Sequence, residues 1–299
     1  MSAILLLGAC LILGVAMARN PRLPDGILPT ALNFWVLEVA LPALVLEQIP
    51  KLHFSTDLLF PAFAPWLVFA GALVIFPMLG RALGWSRGSV GALILTCGLG
   101  NTAFMGLAMI EALRGPEALG AAVIADQVGS FGALAFGGVI VAAIWSGTAP
   151  HPIEIIRRLF SFAPFLALLA ALVLRQIGTL PEAVIAVLHR LGQTVTPLAL
   201  FSVGLQLRLR GIGGYLPRLA AGLAWKLALA PLLIAGIAWT IKLHGTVAAV
   251  GILQSAMAPM ISAGILAEQH DLDPPLATLI VGAGIVISLA SVPLIALML

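Results

Sequence analysis

The feature that most constrains this chain is a succession of long apolar stretches separated by short loops. They fill nearly all of its 299 residues, and only 9% of the residues are charged, whereas soluble domains carry about a quarter. A stretch of roughly 20 apolar residues is long enough to cross a bilayer as a helix. In lipid every backbone N–H and C=O group needs an internal partner, which an α-helix supplies within one segment. The sequence therefore predicts an all-α integral membrane protein.

Charged residues, prolines and glycines divide the apolar sequence into ten predicted transmembrane helices. They cover residues 2–17, 28–49, 58–80, 89–113, 117–145, 158–176, 182–207, 216–241, 245–268 and 275–298. No basic region precedes the first stretch, so we interpret it as an uncleaved helix rather than a signal peptide.

Lysine and arginine predict the orientation of these helices. One set of loops holds nine arginines: Arg19, Arg22, Arg81, Arg87, Arg157, Arg158, Arg208, Arg210 and Arg218. The opposite set of loops holds fewer basic residues: Lys51, Arg114, Arg175 and Lys242, to which Arg190 can be added. Because basic loops stay in the cytoplasm, we expect a multi-pass protein of the cytoplasmic (inner) membrane with both termini in the periplasm.

Several classes of function are disfavoured. The net charge of +3 is scattered over short loops, without the dense basic stripe that nucleic acid would require. Neither a Walker A loop nor a His-Glu-x-x-His zinc motif is present. We therefore expect neither an enzyme nor a nucleic-acid partner, no cofactor, and no metal other than a coupling sodium ion.

Matching residues in the two halves of the chain predict an internal duplication. Pro42 and Pro197 lie in similar Pro-Leu- or Pro-Ala-containing segments, and Glu111 and Glu268 each end an apolar stretch about half a chain apart. A repeat of five helices is odd, so the second copy enters the membrane from the opposite face. We predict inverted repeats at residues 1–146 and 158–299, joined by a short cytoplasmic connection at 147–157, an architecture typical of secondary transporters.

Two stretches at matching depth in the repeats interrupt the helical pattern. Residues 98–106 place Gly98, Gly106, an amide and a hydroxyl near the middle of the fourth helix, and residues 254–260 place Pro259 in the ninth. Unwound backbone at that depth occurs where it is buried in protein or lines a cavity. The exposed N–H groups of half-helices favour anions. The alternative is that glycine and proline merely allow close packing and a kink.

Three ionisable residues lie inside apolar stretches: Glu38, Asp126 and Lys226. A charge at the bilayer centre costs roughly 2.5–3.5 kcal/mol on insertion scales, so such residues are functional candidates. Asp126, followed by Gln127, is expected to exchange a proton or ligate sodium, and Lys226 to offset a negative charge. A purely structural Asp–Lys pair, or snorkelling to the interface, is the alternative. Glu47, Arg190 and the histidines are interpreted as interfacial.

Five segments resemble the auxin efflux carrier family, whose bacterial members include organic-acid permeases. They are Leu41–Leu44, Gly100–Gly106, Asp126–Gln127, Thr196–Gly204 and Gln254–Met260. The resemblance implies ten helices in two inverted repeats with crossed, broken helices four and nine, as in sodium/proton antiporters and bile-acid symporters. It also implies an elevator-like motion of a transport domain and the movement of small carboxylates. The short connection before residue 158 is closer to the bacterial members than to the plant carriers.

Together, the residues and the resemblance predict a secondary carrier for a small organic anion. Coupling to protons or sodium and assembly as a homodimer are further expectations. A sodium-coupled bile-acid-like symporter and a non-transporting sensor or channel remain the alternatives. The predicted substrate-binding residues are Gly100, Asn101, Thr102, Gln254, Ser255 and Pro259. Asp126, Gln127, Lys226 and Glu38 are predicted to couple an ion or support the site. The predicted hinge or helix-break residues are Pro42, Gly98, Gly106 and Pro197.

Overall fold

The computed structural model describes residues 2–18, 27–53, 55–147, 153, 156–157, 160–178, 180–206 and 214–299, with side chains from residue 8 onward. Within these ranges the regular structure is helical and no strand forms. Five arginines of the orientation argument lie outside the described residues: Arg19, Arg22, Arg158, Arg208 and Arg210. Most of the predicted connection at 147–157 also lies outside them.

The helices follow the predicted apolar stretches closely. They are α1 (Ser2–Met17), α2 (Ile27–Lys51), α3 (Thr56–Leu83), α4 (Arg87–Gly98), α5 (102–114), α6 (Pro116–Ser146), α7 (Ala163–Ile177), α8 (Glu182–Gln206), α9 (Leu216–Thr240), α10 (Gly245–Ser255), α11 (Ile261–Gln269) and α12 (Pro274–Ala296). Six of those in the described ranges are long and apolar enough to cross a membrane: α2, α3, α6, α8, α9 and α12. The prediction of an all-helical membrane protein is confirmed.

The chain divides into two compact units. Unit 1 comprises residues 1–54, 103–123 and 156–207, and unit 2 comprises residues 55–102, 124–155 and 208–299. Each unit draws residues from both predicted repeats. The repeats are defined by order along the chain, whereas the units are defined by packing in space. The units therefore do not test the repeat boundaries, which stay a prediction.

In unit 1, α1 packs along the second half of α8, and α2 packs against α7 and α8. Glycine makes the first of these contacts possible, because Gly14 of α1 faces Gly204 of α8. A Cβ built on Gly14 would lie 2.9 Å from Cα of Gly204 and closer still to the carbonyl oxygen of Phe201. Small residues that let backbones approach closely are typical of helix contacts in membranes.

In unit 2, α4 is the central element. It contacts α3, α6, α11 and α12, and its residues 89–98 are all buried. The side chain of Ser86 caps its N-terminus by accepting a hydrogen bond from the Ser89 amide at 3.1 Å. The Ser89 hydroxyl in turn donates to Asp273, just before α12, at 2.5 Å. The start of α4 is thereby fixed to the start of α12.

Residues 84–88 read Gly-Trp-Ser-Arg-Gly, which matches the Gly-x-Ser-x-Gly pattern of hydrolases. In hydrolases that serine lies on a sharp turn between a strand and a helix. Here it follows helix α3 and serves as the cap of α4. The match therefore reflects helix capping and not a nucleophile.

The glycine contact between α1 and α8 leads to a stability prediction. We expect Gly14→Ala to destabilise the protein by about 1–3 kcal/mol, because the backbone of α8 cannot move aside as a flexible side chain would. The measurement is thermal unfolding in detergent. Gly8→Ala, on the same helix with no atom within 4 Å of the added Cβ, is the matched control. Equal melting temperatures of the two variants would contradict this packing.

Candidate functional site

The two helix interruptions lie in unit 2 and face each other. After α4 ends at Gly98 the chain is non-helical until α5 begins at Thr102, and after α10 ends at Ser255 it is non-helical until α11 begins at Ile261. Gly100 and Pro259 form an isolated antiparallel bridge between the two stretches. The structure thus brings together the two segments in which the sequence predicts broken helices.

Backbone hydrogen bonds hold this crossing. The Asn101 amide donates to the Ala258 carbonyl at 2.8 Å, and the Met260 amide donates to the Leu99 carbonyl at 3.1 Å. Residues 99–102 and 254–259 are almost completely buried, so water cannot satisfy these groups. An unpaired buried backbone group costs about as much as a lost hydrogen bond. Each interruption therefore supplies the partners that the other lacks.

Asp126 joins the crossing from a π-helical turn of α6, Ala125–Phe131. The Thr102 hydroxyl donates to its Oδ1 at 2.5 Å, and the Gln127 amide donates to its Oδ2 at 2.7 Å. The Asp126 side chain is thus aimed at the first residue of α5. The side-chain amide of Gln254 donates to the Thr102 carbonyl at 3.4 Å, so Thr102 is also connected to α10.

Lys226 joins the crossing from a π-helical turn of α9, Trp225–Leu229. It is 1% exposed, and its Nζ donates to the Ser255 carbonyl at 2.6 Å. That carbonyl belongs to the last residue of α10, where the helix dipole favours a cation. Asp126 and Lys226 form no ion pair with each other, so the alternative of a structural Asp–Lys pair does not describe this site.

Two glycines allow the elements of the crossing to approach one another. A Cβ on Gly100 would lie 3.1 Å from Nζ of Lys226 and 3.3 Å from the carbonyl oxygen of Gln254. A Cβ on Gly284 of α12 would lie 2.7 Å from Cγ of Pro259. The absence of a side chain at both positions is what lets the lysine and the proline reach their places.

The structure gathers one group of the predicted residues and leaves another elsewhere. Those gathered in unit 2 around the crossing are Gly98, Gly100, Asn101, Thr102, Asp126, Gln127, Lys226, Gln254, Ser255 and Pro259. Those in unit 1 are Glu38, Pro42, Gly106 and Pro197. Glu38 is exposed on α2. Pro42 follows a π-helical turn at Val36–Ala40, and Pro197 follows a turn at residues 193–194.

One residue of the site that the sequence did not predict, Ser130, lies on α6. Ser130 is fully buried one turn after Asp126, and neither its hydroxyl nor Oε1 of Gln127 has a hydrogen-bond partner in the described part of the chain. The signal was the spacing from Asp126 to Ser130, which places both on one face of a helix. Both groups lie on the same π-helical turn as Asp126.

A crossing of two interrupted helices in an all-helical membrane protein is typical of membrane transporters, and the family match of this chain indicates a transporter and not an enzyme, as expected from the sequence. The chain matches the membrane transport protein family over residues 29–146 and 149–296. It therefore belongs to that family, which is the auxin efflux carrier family that its motifs resemble.

Two archaeal proteins are similar to this chain. An uncharacterized transporter of Methanothermobacter thermautotrophicus is 26% identical over 271 residues, which cover 89% of this chain and 87% of that protein. An uncharacterized transporter of Methanocaldococcus jannaschii is 26% identical over 184 residues, which cover 59% of each chain. Both names agree with a role in transport.

The contact between Gly284 and Pro259 predicts how the crossing responds to added volume. We expect Gly284→Ala to lower the thermal stability of the protein by about 1–3 kcal/mol, because the new methyl group displaces the proline from its backbone bridge. Differential scanning fluorimetry in detergent measures this. Gly236→Ala on α9, with no atom within 4 Å of the added Cβ, should unfold like wild type; equal losses in both variants would refute the prediction.

Proposed function

We propose that the protein is a secondary active transporter for a small organic anion, most simply a carboxylate, bound at the crossing in unit 2. The observation that carries this proposal is the antiparallel pairing of Gly100 with Pro259 beside a buried lysine. A lysine ammonium and the N–H groups at helix starts both favour anions. Asn101, Thr102, Gln254 and Ser255 supply further polar groups of the size that binds a carboxylate.

The buried charges support selection of an anion. Asp126 accepts hydrogen bonds from Thr102 and Gln127, and Lys226 donates to the Ser255 carbonyl, so each side chain is bonded to neutral groups. A bound carboxylate adds its negative charge close to Lys226, while the hydroxyl of Thr102 already compensates Asp126. In this proposal Asp126 and Gln127 support the site and carry the coupling proton or sodium ion, for which their oxygen atoms are suitable ligands.

The transport cycle follows from the architecture proposed here. If α4 with α5, and α10 with α11, each form one interrupted span, the helices make ten spans in two inverted repeats of five. Unit 2 would then be the moving transport domain and unit 1 the scaffold of an elevator-like cycle, in the cytoplasmic membrane with both termini in the periplasm. A homodimer is part of this proposal.

The first test is flux into proteoliposomes with radiolabelled malonate and succinate as probes. We expect Asn101→Ala and Asp126→Asn each to reduce the initial rate about tenfold or more, because a hydrogen bond to a charged group contributes about 1.5–3 kcal/mol. Asp57→Asn, which alters an exposed carboxylate of unit 2, is the matched control. Wild-type rates in both site variants would show that the crossing is not the binding site.

The same vesicles separate the alternatives. A bile-acid-like symporter would require a sodium gradient for uptake. A sensor or channel would show no saturable flux and no counterflow.

Lys226 gives a second prediction that needs no vesicles. A ligand present at a concentration 100 times its Kd stabilises the folded protein by about 2.7 kcal/mol. Carboxylates at millimolar concentration should therefore raise the melting temperature of the wild-type protein. We expect Lys226→Met to remove this increase, because the buried positive charge is lost while the length of the side chain is kept. Lys242→Met, at an exposed lysine, should keep it. A full carboxylate-dependent shift in Lys226→Met would exclude the lysine from anion binding.

A further inference from the structure

Unit 1 contains a small polar cavity that the proposed substrate site does not use. Its volume is about 40 Å³, and it lies among α2, α5, the start of α6 and α8. The helices α2 and α8 approach closely there because Gly192 has no side chain; a Cβ built on it would lie 3.2 Å from Cα of Leu44. One water molecule needs roughly 10–15 Å³, so the cavity has room for a small ion with water but not for an organic anion.

Oxygen atoms dominate the polar lining of this cavity. The polar side chains that line it are those of Glu47, Gln48, Glu111, His189, Gln193 and Thr196. Two of these side chains are carboxylates, and a hydroxyl and two amides add neutral oxygen atoms. Carboxylate, hydroxyl and carbonyl oxygens are the ligands of hard cations. An anion would face two carboxylates here, so the lining favours a small cation.

One oxygen atom of Glu47 has contacts and the other does not. The side chain is 5% exposed, and its Oε1 lies 3.0 Å from both Nζ of Lys51 and Nδ1 of His189. Its Oε2 is buried and has no hydrogen-bond partner among the residues that the structure describes. A buried acceptor without a partner costs free energy, and a charged one costs more than a neutral one. A cation bound to Oε2 therefore stabilises the folded protein.

The charged groups at the cavity match a monovalent cation. Nε2 of His189 lies 2.9 Å from the side-chain nitrogen of Gln193; an amide nitrogen only donates, so Nε2 accepts and the imidazole is neutral. Lys51 supplies one positive charge. Arg114, one turn after Glu111 on α5, is not among the described residues that line the cavity. Two carboxylates and one amine therefore leave one negative charge for a bound cation to balance.

We propose that this cavity is a binding site for a monovalent alkali cation, held by Oε2 of Glu47 together with oxygen atoms of Glu111 and Thr196. The Thr196 hydroxyl donates to Oε2 of Glu111 at 3.0 Å, so these two oxygen atoms lie side by side. Zinc does not fit, because it takes three or four His, Cys or carboxylate ligands, and the described residues contain no such group of three. The bound ion connects α2, α5 and α8 within unit 1, apart from the residues proposed to bind the substrate.

Equilibrium binding of radiolabelled sodium to the purified protein tests the proposal without any substrate, with choline chloride keeping the ionic strength constant. We expect saturable binding to wild type and the loss of one bound ion per chain in Glu47→Gln, because the neutral amide cannot balance the cation. Glu182→Gln, which alters an exposed carboxylate at the start of α8, should bind sodium like wild type. Sodium binding that is absent, that is unchanged in Glu47→Gln or that is lost only in Asp126→Asn would overturn the assignment. Displacement of sodium by micromolar calcium would overturn the monovalent charge.

Lys51 provides a readout of opposite sign that a merely structural Glu47 would not give. Its side chain is 54% exposed, so Lys51→Met should fold even if Glu47→Gln does not. We expect this variant to bind sodium about two- to fivefold more tightly, because an exposed amine that competes for the Glu47 carboxylate is removed. Lys242→Met, at an exposed lysine of unit 2, should leave the Kd for sodium unchanged. Equal or weaker sodium binding in Lys51→Met would refute the role of Glu47.

Discussion

The pairing of two non-helical backbone stretches is the interaction on which unit 2 depends. Inside a membrane protein an unwound segment has no water to bond, so it persists only if other protein groups replace the lost helical partners. The amides of Asn101 and Met260 find carbonyls in the opposite stretch. Neither stretch could remain unwound without the other, and the side chains that converge on them are positioned by this mutual requirement.

The positions of Lys226 and Asp126 at the crossing follow from where the helices end and begin. α10 terminates at Ser255, and the last carbonyls of a helix lack intrahelical donors. Lys226 satisfies one of them at 2.6 Å, so its burial completes a helix terminus and places its amine beside the crossing. The side chains of Thr102 and Gln127 likewise satisfy the two oxygen atoms of Asp126 by donating hydrogen bonds to them. The site therefore holds one acidic and one basic side chain, each of them hydrogen-bonded to neutral groups.

Much of this could be predicted from the sequence. Apolar length gave the helices, and glycine, proline and amide residues at matching depth indicated the two interruptions, because each of these signals is local. The π-helical turns that carry Asp126 and Lys226 could not be predicted, since nearly all the residues around them are apolar and show no periodic pattern whose phase an extra residue could shift. Glu47 was interpreted as interfacial from its place near the end of a helix. Its burial depends on α8, about 140 residues away, although the spacing of Glu47 and Lys51 was a local hint of an ion pair.

The two polar sites differ in a way that follows from their chemistry. In unit 2 the buried amine of Lys226 lies at the crossing of two interrupted helices, whereas in unit 1 the carboxylates of Glu47 and Glu111 line one small cavity. Because these groups belong to different compact units, either set can be altered without removing the other.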